Sequence, residues 1–235
     1  MDILQTQNVL NIYIGFDEVE KVAYHTLSQS IIKHASSPVR ISPICSKHFR
    51  KFFNRTRDQK QSNDFSFTRF LVPYLNNYDG YAIFMDCDMM LRDDIFDVLN
   101  EVDLDNAVSV VKHDYTPSDK VKYLDKVQYS YPRKNWSSFV VWNCSHKKNR
   151  KLTPTFIEKA SGLELHRFTW LLDTEIGDLN FRWNWLVGDY INPPMDVKNV
   201  HWTIGGPYFE EYSDVDFSAE WFDMNQETNF CKQRE

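Results

Sequence analysis

The stretch Tyr81-Ala82-Ile83-Phe84-Met85-Asp86-Cys87-Asp88-Met89-Met90 constrains this chain more than any other. A short, continuous apolar run bounded by turn residues reads as a strand buried on both faces. The turn is supplied upstream by Asn76-Asn77-Tyr78-Asp79-Gly80. Strands of this kind belong to α/β sheets, which place their ligand sites at the carboxyl ends of the strands. Two aspartates one residue apart stand at that end. In an extended or loosely turned backbone, carboxylates at i and i+2 reach one divalent ion, which favours hard oxygen ligands. The spacing recurs at Asp103/Asp105 and Asp214/Asp216, but neither pair closes an apolar run, so both read as solvated acidic loops.

The elements around this strand predict an α/β fold. Residues 9–15 read as a first strand, followed by an acidic turn at Asp17 and Glu18 that suits a helix start. A helix is expected over 19–35, with Ala23, Leu27, Ile31 and Ala35 on one face, stopped by Ser36-Ser37-Pro38. Residues 39–44 form the next strand, and strand–helix–strand opens a doubly wound sheet. Residues 64–75 read as a helix that Pro73 kinks or ends. Past Asp88 a short helix is expected from Leu91, which sets the aspartate pair near its amino end. Further strands are expected at 106–111 and 138–143. A helix over 154–161 has Thr153 as N-cap and Gly162 just past its end. Residues 120–134, polar, basic and rich in tyrosine, read as exposed. The tail from Tyr208 reads as a closing flap or a wrapped terminus. With no repeat and no linker, the 235 residues are expected to form one domain.

Composition narrows the function. A net charge of −6 lacks the basic footprint of a nucleic-acid binder. No run approaches the roughly 18 apolar residues of a membrane span. The first residues, Met1 to Gln5, lack the basic and apolar regions of a signal peptide, so a cytoplasmic protein is expected. Cys45, Cys87, Cys144 and Cys231 show neither zinc-site nor disulfide-framework spacing. Residues 47–57 interleave basic and aromatic side chains. They read as a solvated helix with one apolar side, or as a peripheral contact with an anionic membrane surface.

Taken together, the motifs resemble the sugar-nucleotide glycosyltransferases of the GT-A fold, and most closely glycosyltransferase family 8, the group of glycogenin and the lipopolysaccharide galactosyltransferases. The resemblance is carried by Ile14-Gly15-Phe16-Asp17 with Ala23-Tyr24, by Thr68-Arg69-Phe70-Leu71-Val72-Pro73-Tyr74, by Phe84-Met85-Asp86-Cys87-Asp88, by the segment from Trp136 to Asn143, and by His201-Trp202-Thr203-Ile204-Gly205-Gly206-Pro207. It implies one GT-A domain with a mixed central sheet flanked by helices. A nucleotide-binding half would cover about 8–100, an acceptor half about 106–207, and a tail 208–235. It further implies transfer of a hexose, with retention, from a nucleotide-diphosphate sugar, expected to be a UDP-sugar, to a carbohydrate or lipid-linked acceptor in polysaccharide biosynthesis. Asp86, Asp88 and His201 would bind Mn2+, or Mg2+, since one imidazole among oxygen ligands favours manganese. Gly15, Phe16, Asp17, Tyr24, Arg69, Asp86, Gly205 and Gly206 would hold the donor. Asp173 and Glu175 would face the positive charge that develops on the transferred sugar.

The chain departs from the family in three places, one of them the donor-side Asp-Gln pair, for which Asp173-Thr174-Glu175 is the nearest acidic segment. Trp136-Ser137-Ser138 stands where Asn-Ala-Gly usually opens the acceptor strand. Gly206-Pro207-Tyr208 stands where a lysine precedes a proline–tryptophan pair, so the cation facing the diphosphate falls to Arg69, with Arg167 or Lys198 in reserve. Two other readings compete: a non-catalytic sugar-nucleotide or glycan-binding module, and an Asp-x-Asp phosphohydrolase. The second usually carries its motif after a first strand, whereas here a full strand–helix–strand precedes it.

Overall fold

The computed structural model describes residues 8–57, 61, 63–113, 121–122, 126–127 and 133–229. The amino-terminal residues, Cys231 and most of 120–134 lie outside them.

In chain order the regular elements are β1 (Leu10–Gly15), α1 (Lys21–His34), β2 (Val39–Ile44), α2 (Val72–Leu75), β3 (Tyr81–Met85), β4 (Met89–Leu91), β5 (Val108–Val110), β6 (Val121–Lys122), β7 (Lys126–Val127), β8 (Phe139–Asn143), α3 (Pro154–Lys159), α4 (Gly162–His166), β9 (Ile176–Asp178), β10 (Trp185–Leu186), β11 (Asn199–His201) and α5 (Ser218–Asn229). Six strands make the central sheet in the order β2-β1-β3-β8-β5-β9. β1 runs parallel to β2 and β3, β8 runs against both β3 and β5, and β9 is parallel to β5. Five strands therefore share one direction and β8 alone opposes them, which makes the sheet mixed. β3 lies at its centre. Ala82, Ile83, Phe84 and Met85 are fully buried, as a strand covered on both faces requires.

A second sheet of three strands, β10-β11-β4, is built on the continuation of β3. Its register sets Met89 opposite His201. Met90, Trp185, Val200, Trp202 and Trp221 form a smaller core against it. Helix α1 buries Ala23, Leu27 and Ile31 at four-residue spacing and packs on β4 and α5. The Ser30 hydroxyl accepts from Leu91 N at 3.1 Å, and Asn225 Nδ2 donates to Thr26 Oγ1 at 2.9 Å. The tail thus carries a docked helix over Ser218–Asn229.

Four expectations are corrected. Residues 64–75 are not one helix. Thr68–Leu71 winds as a 3-10 turn with all four side chains buried, and α2 starts only at Val72, with Pro73 in its first turn, where a missing N–H costs nothing. The residues after Asp88 form strand β4 because Met89, Met90 and Leu91 pair with β11; the next turn, Ile95–Glu101, is capped by Asp94. Gly162 opens a helix rather than ending one, under a capping box made by Ser161 and Glu164. The basic segment is helical only as a 3-10 turn at Ser46–Phe49; its charges stay largely at the surface, some of them paired within the chain. Arg55 donates to the carbonyls of Ile157, Glu158 and Ala160 at the end of α3, Lys47 pairs with Glu18, and Arg57 with Asp64.

At the end of β1 the backbone of Gly15 passes directly beneath the Phe65 ring. A Cβ there would fall 2.3 Å from Phe65 Cδ2, and Phe65 is itself buried against Phe84. Gly15→Ala should cost about 1–3 kcal/mol by overpacking, read as a drop of several degrees in melting temperature. A simultaneous Phe65→Leu should recover part of it. A variant that melts with the parent would show that the ring moves freely.

Candidate functional site

The carboxyl end of β3 delivers Asp86, and the turn into β4 delivers Asp88. His201 arrives from β11, brought there by the small sheet: Trp202 N donates to Asp88 O at 3.0 Å. One ligand atom from each of Asp86, Asp88 and His201 lies within 4.8 Å of the others, and among the described residues no other such group of histidine, cysteine or acidic side chains occurs. His201 Nε2 stands 3.3 Å from Asp88 Oδ1. Two carboxylates and one imidazole at this spacing suit a divalent cation of intermediate softness.

Asp86 is buried, and burial pushes its carboxyl up to about 6 against the opposing pull of Arg69. Arg69 is buried as well. Its Nη1 lies 2.9 Å from Asp86 Oδ1 and donates to Ser137 O at 2.9 Å, while the guanidinium sits 5.0 Å from the Phe84 ring and 5.3 Å from that of Phe65. Arg69, expected as the cation facing the diphosphate, thus lies buried beside the first aspartate. The reserve cation Lys198 is paired with Asp93 and Asp97 at 2.8 and 3.3 Å. Arg167 follows α4, and its carbonyl accepts from Arg133.

Other candidates fall at the same end of the sheet in other roles. Asp17 caps the turn into α1, accepting from Val19 N at 3.0 Å, and its second oxygen accepts from Asp64 N at 3.1 Å. Phe16 and Tyr24 pack edge to face at 5.5 Å just beyond β1. Gly205 and Gly206 lie under tyrosine rings. An added Cβ would come within 2.4 Å of Tyr212 and 2.2 Å of Tyr208, so the close approach permitted by glycine is here an approach to aromatic carbon.

The structure does not bring Asp173 and Glu175 to this cluster. They immediately precede β9, which runs in the direction of β3, so they stand at the end of the sheet opposite Asp86. Asp173 pairs with Arg133, and Glu175 accepts from Leu172 N at 2.8 Å.

Three residues that the sequence reading passed over belong to the site. Glu20, at the start of α1, is buried and pushed up to about 8 by burial and then by the Asp88 charge. Cys87 Sγ donates to its Oε2 at 3.4 Å, and the Glu20 charge adds to the burial that pushes the Tyr208 phenol well up. Asn184 is fully buried, with its side chain between His201 and Ser138. His113, just past β5, is buried with Nδ1 2.7 Å from the Tyr190 hydroxyl; burial pushes it down to about 3. A buried acid at a helix start and an asparagine between two tryptophans were the available signals, since neither is placed inside without partners.

An aspartate pair closing the central strand of a mixed sheet, answered by a histidine from a small side sheet, defines a protein of the GT-A fold. Solved structures with this fold share 12–15% identity with the chain. The bifunctional glycosyltransferase WbbM matches at TM-score 0.64 and 15% identity over 93% of this chain and 50% of its own. The glycosyltransferase GlyE of Streptococcus pneumoniae matches at 0.62 and 14% over 93% and 60%. The galactosyltransferase LgtC, solved with donor and acceptor sugar analogs, matches at 0.57 and 12% over 95% and 98%. The chain thus spans half of WbbM and six-tenths of GlyE. No protein-family profile matches it. It belongs to the family of Protein CDI of Arabidopsis thaliana, with which it is 42% identical over 224 residues, 93% of this chain and 86% of that protein. No helix among the described residues is long and apolar enough to cross a membrane.

Proposed function

We propose that this protein is a divalent-cation-dependent glycosyltransferase that moves a hexose, with retention, from a UDP-sugar to a hydroxyl of a carbohydrate or lipid-linked acceptor. The observation that carries the reading is the Asp86–Asp88–His201 cluster at the carboxyl end of the central strand of a GT-A sheet. The uridine nucleotide and the retention come from the family resemblance.

The donor set fits a cation. Asp86, Asp88 and His201 would hold Mn2+, or Mg2+, which supplies positive charge where the departing diphosphate gathers negative charge. Arg69 keeps Asp86 aimed into the cluster and favours its ionised form. The Phe16–Tyr24 pair offers an apolar wall for a nucleobase at the same end of the sheet. The acidic pair before β9 takes no part in this reading.

The test is a melting-temperature panel of nucleoside diphosphates with and without Mn2+, joined to an assay of nucleotide release from UDP-sugars. A ligand at 100 times its dissociation constant stabilises the folded state by about 2.7 kcal/mol, so UDP with Mn2+ should raise the melting temperature by several degrees. Other nucleotides should do less, and a chelator should abolish both the shift and the release. If no nucleotide moves the melting temperature in the presence of Mn2+, the transferase reading fails. Metal-dependent binding without any release from the sugar donors would leave a sugar-nucleotide binding module in its place.

A further inference from the structure

Whether His201 can serve as a ligand depends on which of its ring nitrogens carries the proton, and three hydrogen bonds settle this. Ser138 Oγ lies 2.6 Å from the carbonyl oxygen of Asn135. A carbonyl only accepts, so the single hydroxyl proton of Ser138 points to Asn135. Toward Asn184, 2.9 Å away, Ser138 can then only accept, and the end of the Asn184 amide facing it must be the NH2. The other end of Asn184, 2.8 Å from His201 Nδ1, is therefore the carbonyl oxygen, and Nδ1 must donate to it. The lone pair of a neutral His201 is left on Nε2, the nitrogen 3.3 Å from Asp88 Oδ1. A lone pair facing a carboxylate oxygen at that distance needs a cation or a proton between them.

Asn184 is 0% exposed and Ser138 and His201 2% each, while Asn135 is half-buried. Water is kept from both Asn184 bonds, and the polarity set at Ser138 runs undisturbed to the imidazole. Ser138 also anchors the other side of the cluster, since its backbone carbonyl accepts from Asp86 N at 2.9 Å. One residue at the start of β8 thus ties the backbone of the first aspartate to the side chain that orients the histidine.

We propose that Asn184, oriented by Ser138, is the positioning residue that fixes the Nδ1–H tautomer of His201 and presents Nε2 to the cation. Hydrogen-bond partners of ligating histidines act in this way generally, and their loss commonly costs 10- to 100-fold in metal affinity. The assignment rests on the proposed metal-dependent reading only for the presence of the ion. The tautomer itself belongs to the metal-free protein.

The experiment uses both levels. Proton–nitrogen correlation spectra of the metal-free protein at a pH where His201 is neutral should show Nδ1–H for its ring. Asn184→Leu, close in size and without polar atoms, should lose that signature and bind Mn2+ about 10- to 100-fold more weakly when titrated by electron paramagnetic resonance. Asn184→Asp keeps an acceptor for Nδ1–H and should retain the tautomer; Ser138→Ala supplies a milder perturbation if Asn184→Leu does not fold. An Nε2–H ring in the parent protein overturns the assignment without any variant. So does an Asn184→Leu protein that keeps both the tautomer and the Mn2+ affinity. A parent protein that shows Nδ1–H but binds no Mn2+ removes the ion-presenting role and the metal-dependent reading, while the tautomer chain stands.

Discussion

Arg69→Ala should lower the melting temperature by roughly 6–20 °C, the largest stability loss expected of any single change near the site. The reason is the carboxylate left behind. Asp86 is 8% exposed, and its nearest counter-charge is the Arg69 guanidinium at 2.9 Å. Removing one partner of a buried ion pair strands the other, at about 3–5 kcal/mol, and a domain of this size shifts by about 2–4 °C per kcal/mol. The Ser137 carbonyl loses its donor in the same step, and the faces of Phe65 and Phe84 lose a cation. Arg69→Lys should recover part of the loss, since it restores charge without the planar fork. Mn2+ should rescue Arg69→Ala more than it stabilises the parent, because an ion at the cluster offers Asp86 a replacement counter-charge. Thermal melts of the three proteins with and without Mn2+ read all of this. A melting temperature within two degrees or so of the parent for Arg69→Ala would mean that water enters and solvates Asp86, and the buried-pair account would be withdrawn.

The contrast between Arg69 and the strands shows which parts of this molecule can be read from its sequence. β1, β2 and β3 lie within a residue of their expected bounds because their burial is written in consecutive apolar residues, a local pattern. The fate of 64–75 was not local. Arg69 looks like a solvent-facing helix residue until Asp86 is known to wait inside, and the turn tightens to deliver it. β4 has the same character, since three apolar residues become a strand only when β11 lies beside them. At the site, the aspartate pair was legible because its strand context is adjacent in sequence. His201 was reached only through the family motif. Asn184 stayed invisible because an asparagine gives no sign of its hydrogen-bond polarity without its neighbours. Asp173 and Glu175 stood out as an acidic pair, but which end of the sheet they occupy depends on the direction of β9, which no local pattern reveals. The Ser161-x-x-Glu164 capping box, by contrast, was present in the sequence and would have placed Gly162 inside α4.

Glu20→Gln should make the metal-free protein more stable than its parent at neutral pH, by a margin that grows as the pH rises. Glu20 is 2% exposed, beside Cys87 and the Tyr208 phenol and within the field of Asp88, so its carboxyl is pushed from 4.5 up to about 8. Between those values the folded protein keeps a proton that the unfolded chain releases. The contribution of Glu20 is therefore fully present below pH 4.5 and is lost as the pH climbs through about 8. Its slope is about 1.4 kcal/mol per pH unit, so from pH 4.5 to 7.5 the parent loses roughly 4 kcal/mol that the amide, which does not titrate, keeps. While Glu20 keeps its proton, the other titrating groups face an uncharged side chain in both proteins, so taking the difference between them largely removes those contributions. Chemical unfolding of the two proteins in chelator at pH 4.5, 6 and 7.5 should show the gap opening in favour of the variant. Adding Mn2+ at pH 7.5 should narrow it, because a cation at Asp88 offsets the negative field that helps hold the Glu20 proton. A gap that stays constant with pH would show that Glu20 is ionised throughout the range and solvated by groups near Asp88, and its place as a proton-bearing neighbour of the cluster would have to be given up.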